Sequence, residues 1–175
     1  IVRLCIHEFT RVYFDRLNTE EDEQIYFNFL NLAIRSKMKE DIKMVMKDVY
    51  SSSVAYDKPS ILKEIRFSDV LGEEIIANDR HYDEILNNKK LETVVEGFLE
   101  DYNTNSKKPM ALILFDFAIE HILRLLRILK MTQGHAVLIG LGGTGCQSLT
   151  KLASFIRDCE LFQLETSKFY NYEQW

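Results

Sequence analysis

Apolar residues recur at helical spacing through the first hundred positions of the chain. Such a period, three to four residues, is typical of amphipathic helices with one buried face. Thr19 is a suitable N-cap for the second helix, because the acidic residues that follow it suit the positive end of a helix dipole. The predicted helices cover residues 1–17, 19–36, about 39–50, 60–65 and 91–102.

The pattern changes after a polar turn at residues 103–109. A long amphipathic helix is predicted over residues 110–129, and charged side chains interrupt it too often for a membrane span. The next segment, residues 136–139, is a short apolar run next to glycines, which indicates a buried parallel strand. A helix over residues 146–157 and a second strand over residues 161–164 are predicted to follow.

This order of elements predicts an α-helical bundle followed by the opening βαβ unit of an α/β domain. The 175 residues are 46% hydrophobic and 28% charged, as in globular proteins, and the net charge of −5 argues against nucleic acid as the main partner. The three scattered cysteines are interpreted as thiols in a reducing compartment. The chain starts without Met in mid-pattern, so we expect it to be an excerpt of a longer polypeptide.

A glycine-rich loop separates the predicted strand at residues 136–139 from the next helix. Gly140 and Gly145 have the spacing of the phosphate-binding motif G-x-x-x-x-G-K-[ST]. In that motif, glycines let the backbone amides point at phosphate oxygens, and the helix dipole adds positive potential. The candidate nucleotide-binding residues are Gly140, Gly142, Gly143, Thr144, Gly145, Cys146, Gln147 and Ser148.

Two residues of the loop depart from the general motif. Cys146 stands at the lysine position, and Gln147 stands at the position of the serine or threonine hydroxyl. The lysine neutralises the β- and γ-phosphates and the hydroxyl helps to hold Mg²⁺, so we expect weak nucleotide binding and inefficient hydrolysis. No catalytic residue is assigned. A glycine-rich turn that binds no ligand remains the alternative.

The wording of the loop resembles a known family. Residues 140–153, Gly-Leu-Gly-Gly-Thr-Gly-Cys-Gln-Ser-Leu-Thr-Lys-Leu-Ala, resemble the P-loop of the fourth AAA+ module of dynein heavy chains. Gln147 and Ser148 match that family, whereas Cys146 replaces its basic residue. Residues 161–175 resemble the strand and loop that follow, and residues 1–17 resemble the helix that opens the lid of the third module. The resemblance extends over essentially the whole chain and is strongest to axonemal chains.

The resemblance implies that residues 1–105 are the small α-helical lid of the third AAA+ module. Residues 110–175 would then be the start of an α/β P-loop NTPase (AAA+) domain, the large subdomain of the fourth module, as helix, strand, P-loop, helix and strand. Arg3 is the candidate lid arginine that senses nucleotide phosphate, because a guanidinium fits phosphate oxygens. A surface arginine at a helix start is the alternative, and His7 is interpreted as structural.

The resemblance also implies a function. The parent protein would be an ATP-driven, minus-end-directed microtubule motor that contributes to ciliary movement. This segment would be a regulatory site for ATP or ADP, with Mg²⁺ possible, and a conformational relay. The implied partners are neighbouring AAA+ modules and, for the parent, microtubules and dynein intermediate and light chains in the axoneme of a cilium or flagellum. Neither nucleic acid nor membrane is expected. A nucleotide-free structural ring module and an unrelated P-loop enzyme are the alternatives.

Overall fold

The chain folds mostly into helices, with a small two-stranded sheet. The computed structural model describes residues 1–47, 58–73, 76–141, 143, 145–164 and 171–172. Two compact units are present. The first comprises Ile1–Leu71 and His81–Asn88, and the second comprises Gly72–Arg80 and Lys89–Trp175. No described helix is long and apolar enough to cross a membrane.

The first unit combines helices with the short sheet. Its described helical elements are α1 (Val2–Phe9), a π-helical turn (Thr10–Phe14), α2 (Glu20–Met38), α3 (Ile42–Lys47) and a 3₁₀ turn (Pro59–Lys63). Strand β1 (Phe67–Ser68) pairs antiparallel with β2 (Asp83–Glu84), so that Phe67 lies opposite Glu84 and Ser68 opposite Asp83.

The predicted cap of α2 is confirmed. The Thr19 side chain accepts a hydrogen bond from the Asp22 amide at 3.2 Å, and four acidic residues occupy the first turn. The helix ends where Lys39 adopts a left-handed conformation with φ of 60°. For this reason α3 begins at Ile42 rather than at residue 39. The predicted end of that helix and the predicted loop at residues 51–53 lie outside the described residues.

The core of the first unit is apolar and comes from several helices. Residues of α1, α2, α3 and the 3₁₀ turn supply it, because each helix buries one face. Its largest members are almost fully inaccessible. They are Ile6, Phe14, Phe27, Leu30, Ile34, Ile42, Met46, Ile61, Leu62 and Ile65.

The second unit is built on longer helices. Its described elements are a 3₁₀ turn (Ala77–Asp79), α4 (Asn88–Asn105, of which Lys89 onward belongs here), α5 (Asp116–Lys130) and α6 (Cys146–Ile156). Helices α5 and α6 pack together, and the Tyr102 ring of α4 meets the Phe155 ring of α6 edge-on at 5.5 Å. The buried residues of α5 and α6 include Ile119, Ile122, Leu126, Leu152, Ala153 and Ile156.

Helix α5 begins six residues later than predicted, at Asp116 instead of Met110. The Met110 amide donates to Asn103 Oδ1 at 2.8 Å, and Asn103 Nδ2 donates to Met110 O at 3.1 Å. The Asn103 side chain therefore satisfies both the N–H and the C=O of Met110. Because these two groups already have partners, they need no hydrogen bonds within a helix. The helical period of residues 110–115 did not reveal this partner.

The two strands predicted at residues 136–139 and 161–164 are not formed in the structure. A strand exists through its hydrogen-bonded neighbours, and no described segment pairs with either stretch. Their apolar side chains are accordingly exposed: Val137 by 89%, Ile139 by 93% and Phe162 by 84%. The prediction of buried strands was therefore wrong for both stretches of this chain.

Candidate functional site

The glycine-rich loop leads directly into α6. Gly143 and Gly145 have φ angles of +89° and +82°, in the left-handed region that favours glycine. α6 begins at Cys146, and Gly145 is its N-cap residue. A Cβ added at Gly143 would meet no atom within 4 Å, and one at Gly145 would come no nearer than 3.9 Å, to Leu112 Cδ1. Backbone conformation rather than crowding therefore requires glycine at these two positions.

The first turn of α6 places amide donors beside this loop. The Leu149 amide donates to Gly145 O at 2.8 Å, in the i to i−4 pattern of an α-helix. Amides that precede such a bond find no acceptor within the helix, and Gln147 and Ser148 lie in that turn. The helix dipole adds partial positive charge at the same end. This arrangement can bind the oxygens of an anion such as phosphate.

The described members of the predicted loop lie together at the N-terminal end of α6. Cys146 and Ser148 are half-buried, and Gly142 and Thr144 lie outside the described residues. The exposed members are Gly140, Gly143 and Gln147. The role of these eight residues in nucleotide binding stays a prediction.

Cys146 borders two cavities, of about 480 Å³ and about 320 Å³. The smaller cavity is lined by polar groups of α6, namely Gln147, Thr150 and Lys151, together with Leu161 and other residues of the segment after α6. Lys151 therefore lines a cavity that also borders Cys146, the residue at the lysine position of the motif. Lys151 is not among the residues that the motif assigns to the site, because it lies more than a turn into α6.

The larger cavity has an apolar and aromatic lining. The rings of Phe115 and Phe117 stack nearly parallel, with centroids 6.3 Å apart and an angle of 6°. The His121 ring lies 4.2 Å from Phe117, and its Nδ1 is 2.9 Å from Phe117 O. Leu138 and Leu149 complete this side of the wall. Such a lining suits a flat apolar group rather than an ion.

Arg3, the candidate phosphate sensor, lies on α1 and is paired with Glu84 of β2. Its Nε donates to Glu84 Oε1 at 2.9 Å and to Oε2 at 2.7 Å. The side chains are 33% and 11% exposed, respectively. Glu84 was not identified from the sequence, because 81 positions separate the two residues and no local pattern links them. The role of Arg3 as a phosphate sensor stays a prediction.

The structural interpretation of His7 is confirmed by its surroundings. The ring is 5% exposed, with Nδ1 2.9 Å from Ile65 O and Nε2 3.2 Å from the Tyr82 hydroxyl. The Tyr82 hydroxyl donates to Glu8 Oε1 at 3.2 Å. These bonds hold α1 to the segments that lead into β1 and β2. In the part of the chain that the structure describes, no group of three or more His, Cys, Asp or Glu could hold a metal ion.

Left-handed glycines that lead into the exposed amides of a helix are the features of a P-loop turn. A family model described as "P-loop containing dynein motor region D4" matches residues 110–175, the part of the chain that contains this turn. The match begins at Met110 and includes α5, the loop and α6.

Relatives of the whole chain agree with that match. The chain is 39% identical to human dynein axonemal heavy chain 3 over 174 residues, and 37% identical to dynein axonemal heavy chain 12 of Rattus norvegicus over 175 residues. These alignments include 99% and 100% of the chain but 4% and 6% of the two relatives. Human dynein axonemal heavy chain 10 is 34% identical over 98% of the chain. The chain belongs to the dynein heavy chain family and spans a small part of the length of its relatives.

Proposed function

We propose that residues 140–148 bind the phosphates of ATP or ADP and hydrolyse ATP inefficiently if at all. The observation that carries this proposal is the left-handed conformation of Gly143 and Gly145 immediately before α6. It supports a turn whose backbone amides, together with the helix dipole, attract phosphate oxygens. Membership of a P-loop motor family supports the same site.

Cys146 limits the affinity of this site. A neutral thiol cannot provide the charge-assisted hydrogen bonds that lysine makes to phosphate. Hydrogen bonds to charged groups contribute about 1.5–3 kcal/mol each, so the missing lysine weakens nucleotide binding by about 10- to 150-fold. Lys151 borders the cavity that starts at Cys146 and offers partial compensation from the next turn of the helix.

Magnesium would enter with the nucleotide. Mg²⁺ prefers oxygen ligands and usually keeps several waters, so nucleotide phosphates and one hydroxyl are sufficient partners from this part of a site. Ser148 is half-buried in the first turn of α6 and supplies the nearest hydroxyl after Cys146 in the sequence. The remaining ligands would come from solvent or from other parts of the parent protein.

At the level of organisation, we propose that residues 1–105 are the lid of the third AAA+ module and residues 110–175 begin the large subdomain of the fourth. The matched D4 region supports the second assignment. The segment would then act as a regulatory nucleotide site and a conformational relay in an ATP-driven, minus-end-directed microtubule motor. An axonemal location is proposed for the parent from the names of its relatives. Microtubules and dynein intermediate and light chains are proposed as its partners from the family resemblance of residues 140–153.

Photolabelling of the intact heavy chain with 8-azido-ATP tests the site, when labelled peptides from residues 110–164 are quantified by mass spectrometry. Cys146→Lys restores the missing cation, so the half-saturating concentration should fall by about 10-fold or more. Asn105→Lys is the control, because it introduces the same side chain at the exposed end of α4 and should leave labelling unaltered.

Two outcomes would contradict the proposal. Labelling that Cys146→Lys does not strengthen would show that the missing lysine is not the defect. Absence of specific labelling in both the unmodified chain and Cys146→Lys would favour the nucleotide-free structural module, the alternative that the neutral Cys146 supports.

A further inference from the structure

Two arginines join the C-terminal end of α6 to residues 76–80. Arg157 follows the last residue of α6 and is 5% exposed. Its Nη1 donates to Ala77 O at 2.9 Å, and its Nη2 donates to Asn78 Oδ1 at 2.8 Å. In the opposite direction, Arg80 Nη1 donates to Ile156 O at 3.1 Å. We call these five hydrogen-bonded residues, namely Ala77, Asn78, Arg80, Ile156 and Arg157, the arginine clasp.

Burial of the Arg157 guanidinium costs free energy, so its position depends on particular hydrogen-bond partners. A buried guanidinium loses its hydration, so its position is stable only where protein oxygens replace the water. Arg157 obtains a main-chain and a side-chain oxygen from two adjacent residues, a match for its planar fork of donors. Arg80 satisfies a carbonyl in the last turn of α6, where cations also interact well with the helix dipole.

Further contacts fix Arg80 itself. Its guanidinium lies 5.4 Å from the centroid of the Phe98 ring of α4, and Lys130 Nζ donates to Arg80 O at 3.2 Å. α4, α5 and α6 thus all contact one residue. The short segment 76–80 is consequently anchored within the second unit by a charged network rather than by its two neighbours in sequence.

The clasp holds a segment of the second unit that is joined in sequence to the first unit. The chain leaves the first unit after Leu71 and returns to it at His81, so segment 72–80 is covalently joined to the first unit at both ends. α6 has 11 residues and is about 16 Å long, with the glycine loop at one end and the clasp at the other. A rigid helix transmits a displacement of its end.

We propose that Arg157 and Arg80 are positioning residues that couple segment 72–80 to the phosphate loop through α6. This inference rests on the proposed nucleotide-binding function of residues 140–148. A movement of the first unit pulls on segment 72–80, the clasp passes the movement to α6, and the helix shifts the loop glycines and first-turn amides. The affinity of the loop for nucleotide then depends on the state of the preceding module.

Four variants of the intact heavy chain test the clasp. Arg157→Met removes the hydrogen bonds to Ala77 O and Asn78 Oδ1, and Asn78→Ala removes one of these acceptors at an exposed position outside the buried core. Asn78→Asp keeps an acceptor oxygen for Arg157. Arg124→Met is the control, since Arg124 forms an ion pair with Glu120 within α5.

The first measurement is hydrogen exchange, followed by mass spectrometry, of peptides from residues 76–80 and 146–157. Exchange should become about 10-fold faster in Arg157→Met and less so in Asn78→Ala, because hydrogen bonds to a charged group are lost. Asn78→Asp and Arg124→Met should match the unmodified chain. Unchanged exchange in Arg157→Met and Asn78→Ala would show that the clasp does not hold the helix.

The second measurement is the ATP concentration that gives half-maximal protection of the Cys146 thiol from alkylation. It should rise by about 2- to 30-fold in Arg157→Met and Asn78→Ala, the range for residues that modulate coupling, and be restored in Asn78→Asp. Faster exchange without this rise would reduce the clasp to a structural contact and overturn the positioning role. If ATP protects no variant, including the unmodified chain, the proposed function fails, whereas the exchange data still decide whether the clasp holds α6.

Discussion

Alanine replacements at two glycines should have effects of opposite sign. Gly145 precedes α6 with φ of +82° and has no close neighbour for a new methyl group, the nearest atom being 3.9 Å away. Gly97 lies inside α4, and a Cβ there would meet nothing within 4 Å. Space is available at both positions, so the backbone alone decides the result.

The magnitudes follow from the backbone angles. Left-handed backbone costs a residue with a Cβ about 1–2 kcal/mol, and the lower entropy of an unfolded alanine returns about 0.4–1 kcal/mol. Gly145→Ala should therefore destabilise the start of α6 by about 0.8 kcal/mol at the centre of this range and by about 1.6 kcal/mol at most. Gly97→Ala has no strain to overcome and should stabilise α4 by about 0.5–1 kcal/mol.

Hydrogen exchange with mass spectrometry of the intact chain measures both effects, because α4 and α6 give separate peptides. Exchange in α6 should become about 4-fold faster in Gly145→Ala, and at most about 15-fold, when free energies are converted with RT. Exchange in α4 should become about 2- to 5-fold slower in Gly97→Ala. Equal directions of change in the two variants would refute the assignment of a left-handed requirement to Gly145.

Three further predictions concern other parts of the chain. Thr19→Ala should cost about 1 kcal/mol in the stability of α2, seen as faster exchange in residues 20–24, whereas Thr19→Ser should have little effect; equal loss in both would contradict the cap. Burial raises the pKa of Tyr26 to about 12 from an ordinary value of 10.0. The unfolded chain therefore loses this proton first, so the stability due to Tyr26 is complete below pH 10 and is lost between pH 10 and 12. Tyr26→Phe should remove the latest step of an ultraviolet titration, and a titration without such a step would contradict it. Gly134→Ala should cost about 3 kcal/mol or more, since its Cβ would lie 1.9 Å from Ile128 O, and a neutral result in thermal unfolding would refute the crowding.

Helices were predictable wherever a single face is apolar and the ends carry local signals. Thr19 indicated the start of α2, and the loop glycines indicated the start of α6 at Cys146. Both signals are local, because caps and left-handed turns depend on neighbouring residues. The predicted start of α5 was wrong because the contact that sets it is not between neighbouring residues. Asn103 holds Met110 from seven residues upstream through its side chain, which a periodicity of apolar residues cannot show.

The two strand predictions were wrong because hydrogen bonding between strands depends on segments far away in sequence. Residues 136–139 have the composition of a buried strand, yet no described segment supplies the hydrogen bonds that would make them one. The hydrogen-bond partners of the charged residues could not be predicted from the sequence either. Glu84 beside Arg3 and Asn78 beside Arg157 lie 81 and 79 positions away, so the clasp could be found from coordinates but not from spacing.

The candidate site was predictable in position but not in detail. The loop was located from Gly140 and Gly145, whose spacing matches a motif with a physical reason. Lys151 and the aromatic cavity around Phe117 were not assigned to it, because a cavity depends on how α5, the loop and α6 pack.

The central claim is that the loop before α6 holds nucleotide phosphate without a lysine, and the reactivity of Cys146 tests it most directly. The measurement is the rate of iodoacetamide alkylation of Cys146 in the intact chain, with and without ATP, against exposed Cys159 beyond the other end of the helix as an internal reference. ATP should slow the labelling of Cys146 in proportion to occupancy and leave Cys159 unchanged. Equal labelling of Cys146 with and without saturating ATP would contradict the account.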